Sequence, residues 1–376
     1  MIDNLGGENM GQTLELLETL IQFEGSNLGN ANDTIDFCKE WLESNGLHPE
    51  IITNQGYKML VCTVGNGENR LIFNGHVDVV SGQPEQFEPK IKGDKIYGRG
   101  SIDMKAGVSA MMNAVSELQN KDLGETSVQL QLVTDEEIGG IYCSSYLTDN
   151  GYLGDFVICG EPTQLGIGYK AKGILQVDMH FTGKSAHGSR PWEGENAIVK
   201  AYKAYEAILG LPFAKESDDL YGGPSINLAQ IKGGEAYNVV PDSCEMSIDI
   251  RYLPKQSKES ILKEIQSVTD AEIEIHHASI PVDNDINDPH IQLLLSSIEQ
   301  TTGEPSPKVF GQHGYADTGY FMKHGVPAIE FGPSGANWHG DDEYADIQSV
   351  DTYKDILVDF AQRFSDDDTT FAREME

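Results

Sequence analysis

Several short stretches of this chain place histidines and carboxylates where metal chemistry is possible. Asn74-Gly75-His76-Val77-Asp78 closes an apolar run. Side chains two apart on a strand face the same way, so Asp78 can orient the ring of His76 while the other ring nitrogen binds a cation. A loop histidine beside a solvated aspartate would look the same. Gly98-Arg99-Gly100-Ser101-Ile102-Asp103-Met104-Lys105 is a glycine-rich turn entering a helix, with Asp103 near the helix start, where an ordinary N-cap also sits. Thr134-Asp135-Glu136-Glu137-Ile138-Gly139-Gly140 sets three carboxylates in succession beyond another apolar run. On a regular strand Glu136 and Glu137 point oppositely, so both serve one site only if the chain turns there, as the glycine pair suggests. Gly160-Glu161-Pro162-Thr163 ends a further run in an acid, and Trp338-His339-Gly340-Asp341 follows a Gly-Pro loop.

Positioning these groups requires a particular set of elements. Helical spacing of apolar residues predicts helices over 10–25, 35–43 and 104–118, and compact apolar runs predict buried strands over 59–64, 71–74, 128–134 and 156–159. This alternation implies an α/β fold, a mostly parallel sheet flanked by helices. In such open sheets ligands bind outside the carboxyl ends of the strands. His76, Glu136, Glu137 and Glu161 fall at strand ends, and Asp103 one loop later. Two histidines with three carboxylates form a natural ligand set for a pair of divalent cations, and mixed nitrogen and oxygen donors favour zinc.

The pattern changes after Gly168. Strict alternation over 174–181 gives a half-buried strand with one wet face. Further strands are expected over 225–231, 245–252 and 271–277, with helices over 195–210 and 258–269. Four strands and two helices in that order fit a small α+β domain inserted into the first. The polar, proline-flanked segment 281–289 is the return linker. Helix and strand signals then resume over 291–301, 308–310 and 328–331, before an acidic tail expected to fray.

Composition narrows the function. Among 376 residues, 60 Asp+Glu outnumber 26 Lys+Arg, for a formal charge of −34. No basic patch is visible, which argues against nucleic acid. An anionic substrate must therefore be held by local cations. The five cysteines are scattered without a CxxC pair, so neither a disulfide framework nor a cysteine zinc ribbon is indicated. No basic region precedes an apolar run at the N-terminus, and no stretch nears the ~18 apolar residues of a membrane span. The expectation is a soluble cytoplasmic protein with no membrane partner.

The segments GHVDVV, GRGSIDMKAG, TDEEIGG, GEPT, GKSAHGSRPWEGENAI, NVVPD, DIRYLP and WHGDDEY resemble, in the same order, the dinuclear zinc aminoacylase and carboxypeptidase family. The likeness runs from about residue 12 to about 362. It implies a zinc-exopeptidase-like catalytic domain over 1–171 and 280–376 and an inserted lid and dimerisation domain over 172–279. It implies two Zn2+ per chain, with Co2+ or Mn2+ as substitutes. His76 and Glu161 would hold one, Glu137 and His339 the other, and Asp103 would bridge them. Asp78 would orient His76, and Glu136 would be the general acid/base acting on a water between the metals. His187 of the insert would reach the active site of the other subunit of a homodimer. Lys172, Asn238 and Arg251 would contact substrate, Arg251 at its carboxylate.

The activity so implied is hydrolysis of the amide bond of a small N-acylated amino acid, as in acetylornithine deacetylases and succinyl-diaminopimelate desuccinylases. A dipeptidase or carboxypeptidase working on a short peptide is the alternative. Two stretches differ from the desuccinylase pattern. Lys170-Ala-Lys172-Gly173 lacks its arginine, and His313-Gly-Tyr-Ala-Asp317 stands where that pattern has Gly-Gly-Thr-Ser-Asp, which leaves the acyl group open. A non-catalytic peptide-binding relative would lack ligands or Glu136, and all are present.

Overall fold

A computed structural model describes residues 6–314 and 316–364. Tyr315 and the acidic tail from 365 onward lie outside the described residues. The chain divides into two compact units: one takes the chain up to Tyr169, Asn284–Phe310 and the chain from Ala316, and the other takes Lys170–Asp283 and the segment starting at Gly311.

The first unit is built on a mixed sheet in the order Glu50–Asn54, Tyr57–Gly65, Thr126–Val133, Asn69–His76, Phe156–Cys159, Ala328–Glu330 and the first three residues of Ile167–Ala171. Its centre is parallel: Asn69–His76 pairs in parallel with Thr126–Val133 and with Phe156–Cys159, which pairs in parallel with Ala328–Glu330. Antiparallel pairs occupy the margins. Every residue of Thr126–Val133 is buried, as expected of a strand covered on both faces. The helix Lys105–Leu118 packs against Ile347–Arg363 and Gly6–Ile21. Val108, Met111, Met112 and Val115 are fully buried in it, each adding about 1.5–3 kcal/mol of hydrophobic stabilisation. The fold class thus agrees with the sequence pattern.

Two local differences have plain causes. The second helix is Leu28–Ser44 and begins seven residues before its apolar periodicity, because its first turns are polar and its start is set by Asn27. That side chain accepts the amide of Asn30 at 3.1 Å, an N-cap. A second sheet, Gly335–Ala336, Tyr344–Asp346, Lys95–Tyr97 and Lys90–Lys92, was not legible, since two- and three-residue strands carry no period. It sets Tyr97 opposite Tyr344 and so brings the Gly98–Asp103 turn beside the segment carrying His339.

The second unit is a four-stranded antiparallel sheet in the order Ser225–Gly233, Ser243–Tyr252, Gly173–Thr182 and Glu272–Ser279. Leu175, Val177, Met179 and Phe181 pack with Met246, Ile248, Ile250 and residues of the helices Ala197–Ile208 and Lys258–Gln266. The alternate residues Gln176, Asp178 and His180 are partly exposed, matching the expected alternation. Among the described residues, no helix is long and apolar enough to cross a membrane.

Candidate metal centre

The site grows from the carboxyl ends of the central strands. His76 is the last residue of Asn69–His76 and is 1 % exposed. Its Nδ1 lies 2.9 Å from the main-chain carbonyl of Asp78. A carbonyl only accepts, so Nδ1 carries a hydrogen and Nε2 faces into the site, offering its lone pair there when the ring is neutral. The Asp78 carboxylate, expected to orient the ring, is farther away at 3.6 Å. It instead accepts the amides of Glu137 at 3.0 Å and Glu136 at 3.4 Å. Asp78 therefore orients His76 through its backbone, and its side chain anchors the turn carrying both glutamates.

That turn is a short 3-10 helix, Glu136–Ile138, closed by Gly139 and Gly140 at positive φ. It resolves the problem of two adjacent acids serving one site. Gly140 has φ +66 and its Cβ position lies 2.3 Å from Oδ1 of Asp317, so no other residue fits there without displacement. Asp317 is 2 % exposed and accepts the Ser144 hydroxyl at 2.5 Å. Burial raises its carboxyl pKa to about 7. Sequence reasoning did not single out Asp317, since its loop carries no strand or helix period.

Asp103 follows the Gly98–Ser101 turn. Gly100 has φ +75 and a Cβ there would meet Val79 at 2.5 Å, which is why glycine stands at this position. Oδ1 of Asp103 lies 3.2 Å from Nε2 of His76, and its Oδ2 lies 3.2 Å from Nε2 of His339. His339 also faces Oε1 of Glu137 at 3.2 Å, while His76 faces Glu161 at 3.8 Å and Glu136 at 4.0 Å. Two groups result, His76 with Glu136 and Glu161, and Asp103 with Glu137 and His339, each with its donor atoms within 4.8 Å of one another. The six side chains come together from five segments of the chain.

The charge in this cage is unbalanced. Among the described residues, every ion pair of Asp103, Glu136, Glu137 and Glu161 is with a histidine, none with lysine or arginine. Burial, then the neighbouring acids, raises Glu136 and Glu161 well above the usual carboxylate range. Burial works against a charged His76, yet Asp103 and the other acids raise it well above its ordinary value. The same contacts with Asp103 and Glu137 lift His339 to about 10. Imidazole and carboxylate donors crowded together with no lysine or arginine paired to them fit two divalent ions.

The family model for peptidase family M20/M25/M40 matches residues 72–363. The chain belongs to that family. As an M20-family protein it is a hydrolase acting on amide or peptide bonds. Among curated relatives, succinyl-diaminopimelate desuccinylase 1 of Alteromonas mediterranea is 28% identical over 85% of this chain and 88% of its own. Acetylornithine deacetylase of Pasteurella multocida is 26% identical over 88% and 90%. The aminopeptidase PepT of Bacillus cereus has the same fold, with TM-score 0.81 at 18% identity, covering 94% of this chain and 98% of that one. So does the metallo-carboxypeptidase Sso-CP2 of Sulfolobus solfataricus, at TM-score 0.77 and 20% identity over 93% and 98%.

The remaining candidate residues of this M20-family chain lie in its second unit. His187 is exposed, with Nδ1 2.8 Å from the Ser189 hydroxyl. The adjoining Gly188 amide donates to the Asn238 carbonyl at 2.7 Å, so these two motif segments run side by side. Arg251 spends its fork on Asp249, Nε to Oδ1 at 2.9 Å and Nη2 to Oδ2 at 3.1 Å; the two share a strand face two residues apart. Lys172 is 3 % exposed, and its ammonium donates to the Gly223 carbonyl at 2.6 Å. Neither cation is presented as a free grip for a carboxylate.

Proposed function

We propose that this chain is a two-zinc amidohydrolase that removes the acyl group from a small N-acylated amino acid in the cytoplasm. One observation carries the reading: the two oxygens of Asp103 face two different histidines, each within its own group of donors. His76 and Glu161 would hold one ion, Glu137 and His339 the other, with Asp103 between. When bound there, divalent zinc supplies Lewis acidity toward the scissile carbonyl and toward water.

The protein's own part of the chemistry falls to Glu136. Its carboxylate lies inside the donor cage, 4.0 Å from Nε2 of His76, placed to exchange a proton with a water held there. It takes one proton from the attacking water as the oxygen joins the acyl carbon. It returns that proton to the nitrogen as the C–N bond breaks; the second proton of the water, left on the new carboxyl group, passes to the amine, so a carboxylate and an ammonium leave. Asp78 holds the Glu136 and Glu137 amides, keeping the base in place while its neighbour serves as a ligand. His187 would donate to the oxyanion on the partner's substrate in a homodimer, and Asn238, Lys172 and Arg251 would contact the substrate. For Arg251 this requires release from Asp249.

The names of the curated relatives support a deacylase, and a dipeptidase uses the same donors. A panel of N-acetyl, N-succinyl and N-formyl amino acids with unblocked dipeptides tests the reading, with Glu136→Gln as control. Preferred cleavage of an N-acyl amino acid, abolished in the control, is expected. Preferred cleavage of dipeptides overturns the deacylase assignment, and no cleavage of either class overturns the enzyme reading.

A further inference from the structure

His339 poses a positional problem. Its side chain is 50 % exposed, and its backbone sits at φ +63 with Asn337 at φ +62, a conformation that residues other than glycine rarely adopt. Little packing holds such a ring against Asp103. Directly behind it lies a buried ion pair, Arg99 with Glu343, 3 % and 2 % exposed.

The pair touches both ligand segments. Arg99 donates through Nη1 to Oε2 of Glu343 at 2.8 Å and to the Gly340 carbonyl at 3.0 Å, and through Nη2 to the His339 carbonyl at 3.4 Å. Glu343 accepts at Oε1 the amides of Ile102 at 3.1 Å and Asp103 at 3.2 Å. The Gly98 amide donates to the Glu343 carbonyl at 3.1 Å. Each side chain thus holds the backbone of the other's ligand: Arg99 comes from the Asp103 turn and grips the His339 loop, while Glu343 comes from the His339 loop and grips the Asp103 turn. Asp103 and Glu343 lie 240 positions apart in the chain. A guanidinium fork is suited to this, since its fixed donors reach a carboxylate and two carbonyls at once, which an ammonium cannot.

We infer that Arg99 and Glu343 are positioning residues, a reciprocal clamp that sets Asp103 and His339 in ligand geometry before any cation arrives. The inference rests on the two-metal reading of the site. It weights the two positions unequally, because the clamp holds both Asp103 and His339 of one position but only the shared Asp103 of the other, whose His76 and Glu161 keep to their own strands.

Two experiments test it. Calorimetric titration with Zn2+ of metal-depleted protein should show, for Arg99→Lys and for Glu343→Gln, at least a tenfold loss at one position and a loss at least threefold smaller at the other. Equal loss at both positions, as a general loss of structure would give, or unchanged affinity at both, overturns the clamp. Wild-type protein that takes up no Zn2+ would instead sink the metal reading itself. Hydrogen exchange on the metal-depleted wild type needs no variant that must fold. The Ile102 and Asp103 amides should already be protected there, by at least a hundredfold over free exchange. Free exchange that becomes slow only on adding Zn2+ overturns the inference.

Discussion

Asp103 and His339, far apart in sequence, meet with Oδ2 and Nε2 3.2 Å apart, while the other oxygen of Asp103 keeps the same distance from His76. One carboxylate therefore serves both donor groups. Asp103→Asn should lower affinity for both ions, each by at least tenfold, because it removes the shared negative charge. Titration of the depleted variant reads this directly; loss confined to one ion would show that Asp103 belongs to a single position.

Glu136 is expected to act on protons more than on ions. Glu136→Gln should lower kcat by about 10²–10⁴-fold while the protein still carries both metals by elemental analysis. Turnover within tenfold of wild type would remove Glu136 from the base role. Loss of a metal ion would place it among the ligands, where its 4.0 Å approach to His76 also allows it.

Gly140 should tolerate no side chain. A Cβ there would lie 2.3 Å from Asp317 and carry φ +66, so Gly140→Ala should destabilise the fold by about 1–3 kcal/mol and disturb the turn bearing Glu136. An unfolding midpoint equal to wild type would show that Asp317 moves aside freely.

How much of this was legible beforehand follows from where periodicity exists. His76, Glu136 and Glu161 stand at or just past the ends of buried strands whose sequences are rich in apolar residues, with Gln129 and Gln131 interrupting the one before Glu136. The α/β class followed from the same stretches. The pairing of Tyr97 with Tyr344 left no such trace, and with it the closeness of the Asp103 and His339 loops was hidden. Asp78 was recognisable as a partner of His76 by its spacing, but which of its oxygens reaches the ring depends on a backbone turn that residue types do not specify. Arg251 illustrates the converse: its type suits a carboxylate, and the nearest carboxylate is Asp249 on its own strand.

The helix Ile347–Arg363 offers a pH test away from the site. Burial raises Asp351 from 3.8 to about 6, and one of its oxygens is buried without a hydrogen-bond partner. With the folded value above the unfolded one, its stabilising contribution is complete below about pH 4 and is lost as pH rises through 6. Asp351→Asn removes this dependence. The midpoint difference, variant minus wild type, should therefore become more favourable to the variant at pH 8 than at pH 4, by about 2 °C or more. An equal difference at both pH values would show that Asp351 titrates normally.

The donor cage is built for two cations, and the zinc stoichiometry of the wild-type chain measures this most directly. Metal-depleted protein titrated with Zn2+ should bind two equivalents per chain, with proton release as the ions displace hydrogens from His76 and His339. Binding of one equivalent, or of none, would contradict it.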